Sequence, residues 1–306
     1  MTMPNFLIIG AAKAGTTALY HYLKQHPQIY MSPQKDPRFF ALEGESLNFQ
    51  GPDNQAERKL QRNNRLPITS IEAYRLLFKE VKNEKAIGEV SPLYLYSPKA
   101  SERIHHHIPN AKLIAILRNP VDRAYSNFLH LVREGREPLT DFAKALREEE
   151  SRIHSNWNPF WHYKQRGFYY AQLKYYFDRF TKDQIRIYLN EDLKNNPTGL
   201  FQNIFQFLDV NETFVPDISI SPNTGGIPKN ELLHTMLARR NPIKTALKPF
   251  LPESWRQRLV NNLRSQNLVK PPQLLPEVRE QLIQEYREDV LRLQDLIQRD
   301  LSKWLE

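Results

Sequence analysis

Short apolar runs separated by amphipathic stretches recur along the first two thirds of this chain. Five of these runs, near residues 5–9, 28–31, 86–89, 112–117 and 185–189, have the length of buried strands. Helical periodicity separates most of them. This alternation predicts an α/β fold in which a central parallel sheet is flanked by helices.

The remaining segments suggest how one domain covering residues 1–306 is completed. Residues 44–68 are polar and poorly periodic, so we expect an excursion at the rim of a site. Residues 139–181 are predicted to be helical and rich in core aromatics, with one or two aromatic rings left for a ligand. We expect the C-terminal part, from about residue 230, to be helical. Its last helix, from about residue 277 to 304, has one apolar face that closes the domain.

The first apolar run leads into a pattern typical of a phosphate-binding loop. The run 6–10 ends at a glycine, and Gly15-Thr16-Thr17 opens a helix after a short turn. Glycines allow the backbone N–H groups to turn inward, and a helix N-terminus favours an anion. The nucleoside-triphosphatase pattern places lysine directly after the second glycine. Thr16 stands there instead, and Lys13 lies inside the loop. A purely structural loop remains the alternative.

A second pattern follows the apolar run 112–117. Arg118 stands at the expected carboxyl end of that strand, and Pro120 favours a helix start two residues later. Ser126 lies about two turns into this helix. A guanidinium and a hydroxyl that converge there suit a second phosphate, because arginine binds phosphate through two donors. The alternative is a surface cap at Arg118 and a neutral helix position at Ser126.

Taken together, the loop and the segment RNPVDRAYSNF at residues 118–128 resemble the 5′-phosphosulfate and 3′-phosphate motifs of sulfotransferases. The likeness is greatest to the heparan sulfate N- and 3-O-sulfotransferase branch and its bacterial relatives. Segments 35–40, 88–92 and 286–290 agree with it in the expected order. The resemblance implies a P-loop-like fold and the co-substrate 3′-phosphoadenosine 5′-phosphosulfate (PAPS), with no metal.

The resemblance also implies individual roles in donor binding. The 5′-phosphosulfate would be held by Lys13, Ala14, Gly15, Thr16 and Thr17, and the 3′-phosphate by Arg118 and Ser126. Lys13 would stabilise the charge that develops on the leaving oxygen. The loop 221–229, with Gly225, Gly226 and Lys229, stands where the family closes over the 3′-phosphate; a surface turn is the alternative.

Three further residues are candidates on the acceptor side. Glu89 follows a predicted strand and matches the catalytic glutamate of the family, which implies a general base for the acceptor hydroxyl. Val90 replaces the lysine that often follows this glutamate. His130 matches a histidine near the acceptor in the N-sulfotransferase branch, and it competes with Glu89 for the base role. Lys35 matches a lysine expected to face the sulfonate or acceptor.

Charge and composition narrow the partners. The 43 basic and 34 acidic side chains give a net charge of +9, which favours an anionic ligand. The basic residues are dispersed and no nucleic-acid-reading motif occurs, so we do not expect a nucleic-acid partner. The absence of cysteine excludes disulfides and thiolate chemistry. The consecutive residues His105, His106 and His107 point in different directions on a helix, so we expect no metal site.

The sequence also predicts a location and leaves several functions open. It shows no apolar run near the roughly 20 residues that span a bilayer, nor a secretory leader pattern, so we expect a cytoplasmic protein without a membrane span. The acceptor is a small molecule, a lipid or a carbohydrate, and the oligomeric state stays open. Two alternatives to PAPS-dependent transfer are a Mg²⁺-dependent kinase and a catalytically silent nucleotide-binding protein.

Overall fold

The computed structural model describes residues 2–52, 66–218, 227–228, 268–269 and 271–306. Five parallel strands form one sheet in the order β2-β3-β1-β4-β5. Their bounds are β1 Phe6–Gly10, β2 Ile29–Met31, β3 Ala86–Val90, β4 Lys112–Leu117 and β5 Ile185–Leu189. All five predicted strand runs are therefore confirmed, as is the parallel α/β architecture. A separate antiparallel pair joins β6 Ile227–Pro228 to β7 Leu268–Val269.

Helices flank this sheet and fill the connections between its strands. Among the described residues the α-helices are α1 Thr16–Leu23, α2 Phe39–Leu42, α3 Ile71–Leu76, α4 Leu93–Tyr96, α5 Pro98–His107, α6 Pro120–Arg133, α7 Phe142–Arg147, α8 Glu149–His154, α9 Tyr169–Phe177, α10 Asn190–Asn195, α11 Pro197–Leu208 and α12 Pro276–Ile297. Short 3₁₀ turns occur at Pro159–Trp161, Gln165–Gly167, Lys182–Gln184 and Ser302–Leu305.

The sheet is buried, as expected for parallel strands covered on both faces. Every residue of β1 is buried, and so are five of the six residues of β4. Gly88 on β3 lies directly opposite Phe6 on β1, and a Cβ at this position would overlap the Phe6 ring. The centre of the sheet is therefore closely packed, and this gives the loops at its edge a rigid base.

The parallel arrangement decides where the site lies. Because β1 pairs with both β3 and β4, the segments that follow these three strands emerge at one edge of the sheet. The phosphate-binding loop follows β1, Arg118 follows β4, and Ser91 follows β3. Ligand sites of open α/β sheets form at this carboxyl edge.

Two predictions about helices, the continuous helix over 139–181 and the end of the last helix, were wrong. The region 139–181 is not continuously helical: α7, α8, two 3₁₀ turns and α9 alternate there with irregular backbone. The final helix ends at Ile297, seven residues before Trp304, because Gln298 adopts a left-handed conformation with φ 52°. Its predicted apolar face is confirmed at Leu282, Tyr286, Val290 and Leu293, which are buried. The helical character expected from residue 230 to 267 falls outside the described residues.

Candidate functional site

A cavity of about 1230 Å³ opens at the carboxyl edge of the sheet. Its walls come from the phosphate-binding loop, the segment after β2, most of the length of α6 and the turn around residues 158–160. The cavity brings together the predicted donor residues Lys13, Gly15, Thr16, Thr17, Arg118 and Ser126 with the predicted acceptor-side residues Lys35 and His130. Residues far apart in sequence therefore share one concave site.

The phosphate-binding loop has the backbone shape that anion binding needs. Gly15 caps α1 at φ 119°, a conformation that favours glycine, and the first turn of α1 then starts at Thr16. N–H groups in a first helical turn have no intrahelical acceptor. Two side chains fix the loop from neighbouring strand ends: Asn190 Nδ2 donates to the Ala14 carbonyl at 2.7 Å, and Arg118 Nη1 donates to the Lys13 carbonyl at 3.3 Å.

Lys13 is a half-buried cation in a positive environment. Its pKa is lowered from 10.5 to about 8, chiefly because the ammonium group is largely removed from water; the charges of Arg133, Arg118 and Lys35 contribute to this decrease, and Glu134 opposes it. Its ammonium group is therefore costly to keep charged until an anion arrives. A phosphate beside it would restore the ordinary pKa, so the ligand and the proton bind together.

The second phosphate motif is held firmly in place. Arg118 and Ser126 both border the cavity. Asn119 caps α6 by accepting hydrogen bonds from the backbone N–H groups of Val121 at 3.0 Å and Asp122 at 3.4 Å. The Tyr169 hydroxyl donates to the Arg118 carbonyl at 3.0 Å. The backbone at Arg118 is thereby fixed from two sides, which directs its guanidinium toward the phosphate-binding loop.

Glu89 lies behind the cavity rather than in its wall. Its side chain is fully buried and does not border the cavity. The Tyr74 hydroxyl donates to its Oε1 at 3.2 Å, and the Ser91 hydroxyl donates to its Oε2 at 3.0 Å. Burial raises the pKa of Glu89 to about 8, although the hydrogen bonds from Ser91 and Tyr74 act against this shift. At neutral pH this carboxyl is mostly protonated.

His130 lies in the cavity wall as a neutral imidazole. Burial is the main reason that its pKa falls to about 4, and the charge of Lys13 adds to the effect. Arg133 Nη2 lies 3.0 Å from Nδ1, so that nitrogen accepts, while Nε2 lies 3.4 Å from the Glu134 carboxylate and carries the proton. Both ring nitrogens therefore have protein partners. Lys35 also borders the cavity.

The structure adds cavity residues that the sequence patterns did not assign. Arg38 binds Asp36 through Nε at 2.8 Å and Nη2 at 2.7 Å. The guanidinium of Arg38 lies 4.8 Å from the centre of the Phe160 ring, and that of Arg136 lies 4.9 Å from it. Arg166 also borders the cavity, although it is only 4% exposed. Asp36 and Arg38 lie in segment 35–40, which the resemblance had already singled out, and that was the available signal.

The turn that carries Arg166 is clamped from two helices. Glu149 of α8 accepts hydrogen bonds from the backbone N–H groups of Lys164 at 2.6 Å and Gln165 at 2.8 Å. Tyr286 of α12 donates its hydroxyl proton to the Lys164 carbonyl at 2.9 Å. The position of Arg166 is thus fixed by elements that do not contribute to the phosphate-binding loop.

One predicted loop of the site cannot be located, because Gly225, Gly226 and Lys229, predicted to close over the 3′-phosphate, lie outside the described residues.

The aromatic residues of region 139–181 divide between the cavity and the core. Phe160 borders the cavity, and Trp161, Tyr163 and Tyr169 are core residues. Phe49, from the polar segment 44–68, also reaches the cavity. Within the described ranges, the helices lack the combination of length and apolar character that crossing a membrane requires.

Comparison with known proteins agrees with this architecture. The model of the sulfotransferase family matches residues 4–214. A crystal structure of a sulfotransferase from Alicyclobacillus acidocaldarius is similar over 100% of both chains, with a TM-score of 0.77 and 34% sequence identity. The predicted P-loop-like sulfotransferase fold is therefore confirmed.

Curated relatives are more distant and longer. A membrane-associated sulfotransferase of Dictyostelium discoideum is 23% identical over 84% of this chain, which covers 64% of that protein. A bifunctional heparan sulfate N-deacetylase/N-sulfotransferase of Caenorhabditis elegans is 28% identical over 73% of this chain, but only 24% of that relative is covered. The predicted likeness to the heparan sulfate branch is confirmed, although the chain spans less than two thirds of either relative. The chain belongs to the sulfotransferase family, a family of group-transferring enzymes.

Proposed function

We propose that this protein transfers a sulfuryl group from PAPS to a hydroxyl or amine acceptor. The observation that carries the proposal is the shared cavity, in which Lys13 and the α1 N-terminus face the same space as Arg118 and Ser126. Two phosphate-directed cation sites at one sheet edge fit a nucleotide with phosphates at both the 5′ and 3′ positions. The net charge of +9 further favours such an anion.

In the proposed reaction, the acceptor oxygen or nitrogen forms a bond to sulfur while the bond from sulfur to the 5′-phosphate oxygen breaks. Adenosine 3′,5′-bisphosphate leaves with the bonding electron pair, and the acceptor proton passes to a base. Reactions of this type depend mainly on positioning and on charge stabilisation. The role proposed for Lys13 is to neutralise the leaving oxygen, and N–H groups from Ala14 to Thr17 would hold the phosphate.

Glu89 is our proposed base, on the strength of its match to the family glutamate. Its burial sets two conditions for that role. The carboxyl must lose its proton, which its pKa of about 8 delays, and it must gain contact with the acceptor when the site fills. His130 is the alternative, and it already borders the cavity. Its partners Arg133 and Glu134 would have to release it first.

The direct test is to incubate the purified protein with ³⁵S-labelled PAPS and a metabolite extract from its host. Label that moves into an extract component, together with release of adenosine bisphosphate, supports the proposal. ATP turnover that depends on added Mg²⁺ would instead favour a kinase. Binding of adenosine bisphosphate without transfer to any component would favour a silent nucleotide-binding protein. Boiled enzyme and the Arg118→Ala variant serve as controls.

We also propose a cytoplasmic location and a small-molecule, lipid or carbohydrate acceptor, as expected from the sequence. The Dictyostelium relative is named membrane-associated, so attachment to a membrane surface is the competing location. Fractionation of host cells with an antibody against this chain distinguishes the two. Recovery in the membrane pellet that resists a salt wash would contradict the cytoplasmic proposal.

A further inference from the structure

Arg166 is a buried cation with little to neutralise it. Its side chain borders the cavity although the residue is only 4% exposed. Its Nη1 donates one long hydrogen bond, 3.4 Å, to the Pro159 carbonyl, and its guanidinium lies 5.7 Å from the centre of the Tyr96 ring. Within the described ranges, no carboxylate forms an ion pair with Arg166. Two of the other cavity arginines, Arg38 and Arg136, do have such partners, Asp36 and Glu134.

Burying a guanidinium without a counter-charge is unfavourable, so a folded protein normally pairs it. Here the surroundings increase the cost. The pKa of Arg166 falls to about 10, chiefly because of burial and secondly because of the charge of Arg123. Arg123 is itself fully buried, and its Nε and Nη1 lack hydrogen-bond partners. Arg166 in the cavity wall and Arg123, which is buried and does not border the cavity, thus create a positive potential that an incoming anion would relieve.

This end of the cavity differs from the donor end. Arg166 contacts the Pro159 carbonyl and the Tyr96 ring, and the neighbouring Phe160 ring lies against Arg38 and Arg136. At the donor end, the Lys13 carbonyl accepts from Arg118. These two sets of contacts share no residue. An anion at Arg166 would therefore belong to a molecule other than the phosphates of the donor.

We propose that Arg166 binds an oxyanion, a carboxylate or a sulfate ester, on the acceptor, so that the acceptor class is anionic hydroxyl or amine compounds. This inference rests on the proposed sulfuryl transfer. Phe160, beside Arg38 and Arg136, supplies an apolar face next to the cationic end. The clamped turn from Lys164 to Gly167 keeps the guanidinium in place before the acceptor arrives. Such pre-organisation reduces the ordering cost of binding.

Crystals of the complex with adenosine 3′,5′-bisphosphate, soaked in sodium selenate, test the proposal directly. Selenate resembles sulfate, and the anomalous scattering of selenium locates it. We expect a selenium peak within hydrogen-bonding distance of the Arg166 guanidinium. No peak there overturns the proposal. A peak confined to Lys13 and Lys35, where the transferred group would lie, also overturns it.

Thermal unfolding gives a second, independent measurement in solution. The protein, saturated with the bisphosphate, is melted in sulfate and in chloride at equal ionic strength. A specific anion site predicts a sulfate-dependent rise in Tm. Arg166→Gln should lose this rise and bind sulfate at least about tenfold more weakly, as expected for a charged hydrogen bond. Arg166→Lys should keep part of it.

Arg136→Gln is the matched control, because Arg136 also borders the cavity but has Glu134 as a partner at 3.2 Å. It should lose much less of the sulfate response than Arg166→Gln. Equal responses in wild type and Arg166→Gln contradict the proposal. If Arg166→Gln fails to fold, the selenium position in the wild-type crystals decides. If the protein does not bind the bisphosphate at all, the proposed function itself fails, which is a separate outcome.

Discussion

The lowered pKa of Lys13 predicts how nucleotide affinity changes with pH. In the free protein this pKa is about 8, chiefly because the ammonium group is largely removed from water. A bound 5′-phosphate would raise it toward the ordinary value of 10.5. Protonation and binding are then linked, so the affinity for adenosine 3′,5′-bisphosphate should decrease as the pH rises from 7 to 9.

The magnitude follows from the protonated fraction of Lys13. With a pKa of about 8, roughly nine tenths of the free protein carries the charged form at pH 7 and roughly one tenth at pH 9. The dissociation constant should therefore rise about tenfold between these pH values, equivalent to about 1.4 kcal/mol. Titration of the phosphates, near pH 6, contributes little in this interval. Nor does His130, whose pKa is about 4.

Isothermal titration calorimetry at pH 7, 8 and 9 measures this change, and buffers of different ionisation enthalpy report the proton taken up. Lys13→Arg is the matched control, because arginine stays charged throughout the range. It should bind the bisphosphate with little dependence on pH. If wild type shows no loss of affinity, or if Lys13→Arg shows the same tenfold loss, Lys13 is not the group that titrates and its contact with the phosphate is refuted.

Three further predictions concern the donor and the base. Arg118→Ala should weaken adenosine 3′,5′-bisphosphate by about 1.5–3 kcal/mol but AMP much less, because AMP lacks the 3′-phosphate; equal losses by calorimetry would remove that role. Glu89→Gln should retain bisphosphate affinity and reduce the rate of sulfuryl transfer about 10²–10⁴-fold. The wild-type rate should rise up to about pH 8, because the Glu89 carboxyl deprotonates in this range. If Glu89→Gln is active and His130→Ala is inactive, His130 is the base instead of Glu89. Gly15→Ala should lower both Tm and bisphosphate affinity, because φ is 119° and the added Cβ would lie 3.0 Å from Leu193.

The sheet and the donor end were predictable because their signals are local. Each strand is a short apolar run, and a parallel sheet gathers the segments that follow its strands at one edge. The positions of Lys13 and Arg118 follow from that rule alone. The interruptions of the helix in region 139–181 were not predicted, because aromatic residues occur equally well in helices, turns and the core. Only tertiary packing decides which of these an aromatic residue adopts.

The acceptor end was less predictable because it depends on contacts between distant segments. Glu89 ends up behind the cavity because Tyr74, fifteen residues earlier, and Ser91 both bind its carboxyl. The position of Glu89 on its strand does not show that these residues separate its carboxyl from the cavity. Arg166 has no motif of its own. Its significance comes from burial without a carboxylate partner in the described parts of the chain, which no sequence pattern shows.

The turn from Lys164 to Gly167 and the phosphate-binding loop are held in place by different residues. The supports of the turn, Glu149 and Tyr286, belong to α8 and α12, whereas the phosphate-binding loop depends on Asn190 and Arg118. A substitution in one set of supports leaves the hydrogen bonds of the other intact. If Arg166 holds the acceptor as proposed, a change in α8 or in the turn itself can alter acceptor preference while the contacts of the phosphate-binding loop stay intact.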